Sequence, residues 1–154
     1  MSVRWATLPG MALEFQVTFD SADPVTHSAF WAEALHYVPA PPPRGFATWE
    51  AAFEAWGVSE EHRGDRAALV DPDGKGPRLF FQKVPEPKTA KNRVHLDLRA
   101  AAGRPPEERS DALEAECARL VALGARRVRR LEADTIDAMC IVMQDPEGDE
   151  FCLD

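Results

Sequence analysis

Between residues 13 and 20 the chain reads Leu-Glu-Phe-Gln-Val-Thr-Phe-Asp, apolar at every odd position and polar at every even one. That period of two predicts a half-buried strand. A helix start follows. Asp23 suits an N-cap, and Pro24 suits the first helical position, where its missing N–H costs nothing. Phe30, Trp31, Ala34, Leu35 and Val38 form the apolar stripe, and Pro39 with Pro41-Pro42-Pro43 is the expected stop. Trp49, Ala52, Phe53 and Trp56 recur at helical spacing before Gly57, which predicts a second, short amphipathic helix. A strand at 67–70, the turn Asp71-Pro72-Asp73-Gly74 and a strand at 78–84 complete the first half.

The second half repeats the first. Val94, Leu96 and Leu98 alternate with His95, Asp97 and Arg99 in a strand. A helix over about 107–123 has Leu113, Cys117 and Leu120 on its buried side and Gly124 at its stop. An arginine-rich strand, a strand at 139–143, the turn Asp145-Pro146-Glu147-Gly148 and a strand at 150–153 close the chain. Two copies of one strand–helix–strands unit imply a pseudo-two-fold α+β domain: two βαβββ-type modules whose curled mixed sheets form a shared cup. The expected limits are a flexible tail at 1–10, module one at 11–84, a linker at 85–92 and module two at 93–154. The first copy departs by placing the 49–56 helix where its second strand belongs.

Parity also says what faces where. If Phe15/Val17, Leu79/Phe81, Val94/Leu96 and Phe151/Leu153 pack on the helices, the opposite face carries Gln16, Gln82, His95 and Cys152. Glu14, Phe80, Asp97 and Glu150 share that face. Glu14, Asp97 and Glu150 are candidate proton carriers beside His95. Trp49, Phe53 and Trp56 either lid the cup or pack as an ordinary helix face. His27, His36 and His62 have no partners at ligand spacing and receive no role.

Composition narrows the partners. A net charge of −8 over 154 residues disfavours a phosphate-binding surface, so no nucleic-acid partner is expected. The cluster Arg126-Arg127-Val128-Arg129-Arg130 reads as a solvated strand edge. Three cysteines at wide spacing make neither a disulfide framework nor a zinc motif and suit a reducing cytosol. No apolar run approaches a membrane span or a signal peptide, so a cytoplasmic protein without a membrane partner is expected.

The chain resembles the vicinal-oxygen-chelate superfamily, the glyoxalase and bleomycin-resistance fold. The resemblance rests on Phe30-Trp31-Ala32-Glu33-Ala34-Leu35, on Asn92-Arg93-Val94-His95-Leu96-Asp97, on Leu120-Val121-Ala122-Leu123-Gly124-Ala125, and on Asp145-Pro146-Glu147-Gly148-Asp149-Glu150-Phe151. It implies a small-molecule pocket and a homodimer. It also implies metal-ligand positions at Gln16, Gln82, His95 and Cys152. Gln16 and His95 suit the metal-dependent members, which carry Glu where this chain has Gln82 and Cys152. Two neutral amides and an imidazole hold a divalent metal poorly, so no metal cofactor is expected; a divalent metal is the lesser alternative, since Cys152 as thiolate would supply one charge and favour zinc.

Three functions compete at this stage: a glyoxalase-like lyase or isomerase acting on a small oxygenated metabolite, a drug-sequestering binding protein, and metal-free acid–base catalysis by His95 with a neighbouring carboxylate. An extradiol dioxygenase is disfavoured because its iron triad needs two histidines.

Overall fold

A computed structural model of the chain describes residues 13–134 and 138–154; the expected tail at 1–10 lies outside the described residues. Strand β1 (Gln16–Ser21) leads into helix α1 (Pro24–Leu35), β2 (Val38–Pro39), α2 (Trp49–Trp56), one 3₁₀ turn (Glu60–His62), β3 (Arg66–Val70) and β4 (Arg78–Lys83). The second half supplies β5 (Asp97–Leu98), α3 (Pro106–Ala122), β6 (Arg126–Leu131), β7 (Cys140–Gln144) and β8 (Glu150–Leu153). The strands form two four-stranded mixed sheets, ordered β1-β4-β3-β2 and β5-β8-β7-β6. In each, the first strand runs parallel to the last and the remaining pairs are antiparallel. One topology is used twice.

Three local expectations change. The second strand of module one exists: Val38–Pro39 pairs with β3, and α2 is inserted after it instead of replacing it. Helix α1 ends at His36, whose backbone takes the left-handed conformation at φ 58°, before any proline is reached. Strand β1 starts at Gln16, so Leu13 and Phe15 precede it and are 92% and 71% exposed; Val94 is also exposed, at 80%. Neither Phe15 nor Val94 packs on a helix as parity suggests.

Helices α1 and α3 each cover their own sheet and meet in one core. Leu79 and Phe81 lie under Phe30 and Trp31, while Leu113 and Leu120 cover Ile141, Met143 and Leu153. The Trp31 and Phe151 rings, one from each module, sit 5.3 Å apart. Burying a side chain of this size contributes about 1.5–3 kcal/mol, so this seam binds the modules strongly.

Helix α1 is held at both ends. Asp23 caps its N-terminus, accepting from the Thr26 N–H at 3.2 Å. At the other end Arg119 of α3 donates to the carbonyls of Glu33 and Ala34 at 3.1 and 3.0 Å, satisfying acceptors that have no partner within the helix. Glu116 fixes that guanidinium from one turn away.

Candidate functional site

A cavity of about 710 Å³ opens along the seam where the edge strand β1 faces residues 94–96 of module two. Val17, Phe19 and Leu96 give it apolar walls; Asp20, Lys88, Asn92, His95 and Asp149 give it polar ones. Glu150 lines it as an anchor. Its carboxylate accepts from the Asn92 N–H at 3.0 Å and pairs with Lys88 at 3.1 Å, tying the linker to β8. The Asn92 amide, opposed by burial and joined by Lys88, pulls the Glu150 pKa down to about 2. Such a group carries no proton at neutral pH. Asp149 is the opposite case: burial and the nearby charge of Asp145 raise its pKa.

The structure separates the positions that parity groups. Gln16 and Gln82 do share the face away from the helices. In the parallel register, however, Gln16 lies opposite Arg78 and Gln82 opposite Asp20, four residues apart, or roughly 13 Å along the strands. The Gln16 amide oxygen accepts from Arg78 at 2.6 Å, and the Gln82 amide donates to Asp20 at 2.8 Å. Phe80 lies beneath the Arg78 guanidinium. Glu14 precedes β1 and is exposed. The Trp49 ring packs against Phe53 at a tilt and meets Trp56 edge to face, Trp56 meets Phe46 the same way, and none of the three lines the cavity. In module two, His95, Asp97 and Cys152 come together, with His95 Nε2 3.2 Å from the Asp97 carboxylate.

Sequence reasoning gives His27 no role, and it is among the most enclosed polar residues described, at 1% exposure. Its Nε2 lies 2.6 Å from Asp145 Oδ2 and its Nδ1 3.2 Å from Ser21 Oγ. Trp31 donates to the same Asp145 oxygen at 3.0 Å. Ser21 in turn donates to Glu147 at 2.5 Å, and Glu147 accepts the backbone N–H groups of Ala22 and Asp23 at 2.7 and 2.9 Å. Burial pushes the Glu147 pKa up, but these bonds outweigh it and hold the group below the usual carboxylate range. The turn of module two is thereby latched onto the start of α1. A Ser–His–Asp chain suggests nucleophilic catalysis at first sight, yet the Ser21 hydroxyl is already committed to a carboxylate. The arrangement is structural. The i, i+4 spacing of His27 and Trp31, two polar-tipped rings on one helix face, is the signal available in the sequence.

Three of the four arginines of β6 are paired as well. Arg127 and Arg130 both bond Glu114 of α3, at 2.6 and 2.9 Å, and Arg126 bonds Gln144.

A family model described as a glyoxalase-like domain matches residues 16–153. The chain belongs to that family. The glyoxalase-like domain is similar in fold to a glyoxalase/bleomycin resistance protein/dioxygenase family enzyme from Burkholderia phytofirmans PsJN, with 14% identity, TM-score 0.59, and 90% and 94% of the two chains covered. It is similar to the genomically encoded fosfomycin resistance protein FosX of Listeria monocytogenes, in a mutant form complexed with Mn(II) and dihydroxypropylphosphonic acid, with 12% identity, TM-score 0.58, and 96% and 90% covered. A glyoxalase-related enzyme from Fulvimarina pelagi shares 15% identity with TM-score 0.55, over 95% and 87% of the two chains. No curated protein matches the sequence.

The metal common in this superfamily can be tested against the geometry. Gln16 and Gln82 are too far apart to share one ion, and Arg78 holds a positive charge against the first. The four positions implied by resemblance do not fit one metal.

Proposed function

We propose that this glyoxalase-like domain binds a small oxygenated molecule in the cleft between its modules. The cavity carries the proposal. Its volume, about 710 Å³, suits a drug-sized or smaller ligand, and apolar walls with a few convergent polar groups are what such sites use. Asn92, Asp20 and Lys88 supply directional contacts above Val17, Phe19 and Leu96. A thermal-shift screen of hydroxy acids, dicarbonyls and small antibiotics, followed by calorimetry, tests it. Hits should weaken about tenfold in Asn92→Ala or Asp20→Ala, one lost polar contact being worth roughly 1.4 kcal/mol. Hits unaffected by both substitutions would place the ligand elsewhere.

A second reading is favoured by Asp149. A half-buried carboxyl with a raised pKa on a cavity wall is suited to moving a proton, as a metal-free lyase or isomerase requires. Asp149→Asn should then abolish turnover and leave binding nearly intact, and the wild-type rate should rise with pH through a limb above the usual carboxylate range. Binding without turnover in the wild type would leave the sequestering function.

A symmetric dimer in the cytosol belongs to the same proposal. Exposed Leu13, Phe15 and Val94 supply apolar surface for pairing, and all three cysteines are free thiols. Sedimentation should give twice the chain mass.

A further inference from the structure

On the face of the second sheet turned away from α3, three side chains of a kind that binds metal come together, with a fourth beside one of them. Asp97 of β5 lies opposite Cys152 of β8 in the parallel register, and Cys152 lies opposite Val142 of β7 in the antiparallel one. Cys140 is two residues before Val142, on the same face and one diagonal step from Cys152, within reach across a sheet. His95 is two residues before Asp97, on the face they share. Donor atoms of His95, Asp97 and Cys152 all lie within 4.8 Å of one another, and Cys140 stands just outside that group, beside Cys152. The Cys140 thiol is close enough to hydrogen-bond Cys152; burial, this neighbour and Asp97 together push the Cys152 pKa up to about 12. The core-facing neighbours Ile141, Phe151 and Leu153 are buried, which holds the two cysteine-bearing strands, β7 and β8, in place.

We propose that His95, Asp97, Cys140 and Cys152 form a binding site for a thiophilic divalent cation, zinc being the natural occupant. One imidazole, one carboxylate and two sulfurs make a four-coordinate zinc set. This is not the set the resemblance implies. Both glutamines drop out, Asp97 and Cys140 take their places, and every donor comes from one module. The His95 and Asp97 side chains are 40% and 51% exposed, so the cation enters from solvent, while both cysteines are half-buried. Binding displaces the two thiol protons to solvent, which makes it stronger as pH rises. A bound cation would clasp β5, β7 and β8 together where β5 is only two residues long. The site shares His95 with the wall of the cleft but does not rest on the ligand proposed there.

The test uses the full chain, reduced and stripped with chelator, titrated with Co²⁺ as a spectroscopic probe and then with Zn²⁺. The expected result is one equivalent bound, with a thiolate-to-cobalt charge-transfer band and the intense visible bands of tetrahedral cobalt, all bleached by zinc. Cys140→Ser and Cys152→Ser should each weaken binding at least about tenfold and reduce the charge-transfer band, while Gln16→Ala and Gln82→Ala leave both unchanged. Zinc should also protect Cys140 and Cys152 in the wild type from a thiol-alkylating reagent, a readout that needs no variant to fold. No charge-transfer band, no thiol protection, or binding lost in the glutamine variants and kept in the cysteine variants would overturn the proposal.

Discussion

The turns Asp71-Pro72-Asp73-Gly74 and Asp145-Pro146-Glu147-Gly148 share one local design with different surroundings. In both, the aspartate accepts N–H groups of its own loop: Asp73, Lys75 and Gly76 in the first, Glu147 and Asp149 in the second. In both, the glycine takes a positive φ, 67° and 91°, that a side chain would strain. There the likeness stops. Asp71 serves its own loop, whereas Asp145 is 3% exposed and also receives His27 and Trp31 from the other module. Asp73 pairs with Lys75 next to it, while Glu147 reaches three groups at the start of α1. A repeated motif fixes a loop's shape, and its packing decides whether that loop joins two modules.

The sharpest test is Asp145→Ala against Asp71→Ala. Removing Asp145 takes away the carboxylate shared by the buried His27 and Trp31 rings, leaving them only each other and Ser21, and should cost about 3–5 kcal/mol in urea unfolding. Asp71→Ala should cost a small fraction of that, and equal losses would erase the distinction drawn here. Glu147→Ala comes next. It frees two backbone N–H groups and the Ser21 hydroxyl, for about 1–3 kcal/mol, and Asp73→Ala should be near neutral by the same measurement.

The strands after the turns differ in charge. Module one begins its last strand with a cation, Arg78; module two begins with an acid, Glu150. Glu150 has its pKa depressed from 4.5 to about 2, so its contribution is complete above the higher value and lost as pH falls through the lower one. Stability of Glu150→Gln should be flatter across that window, with the two proteins converging toward pH 2. The smallest effect expected is that of His95→Ala. Its part-exposed side chain should cost less than about 0.5 kcal/mol in the metal-free protein, in contrast to buried His27.

The sequence is most legible where structure is local. Alternation places β1, β4 and β8, Asp23 and Pro24 start α1, and the paired turns reveal the duplication. Parity assigns Gln16 and Gln82 to one face correctly but says nothing of position along a strand, and the parallel register of β1 and β4 sets them apart. His27 is opaque for a related reason: its partner Asp145 lies 118 residues away, and only tertiary packing brings them together. Val38–Pro39 escapes because a two-residue strand has no period to read.

The grip on α1 from both ends also bears on cooperativity. Glu147 and Asp145 of module two hold its beginning, Arg119 of module two its end, and Trp31 on its buried face touches Phe151. The helix belongs to the first repeat by sequence and to both by contact. Opening either half alone would expose these bonds at once, so amide protons along α1 should exchange only when the whole domain opens, at one common free energy. Two copies of one topology would then melt as a single unit.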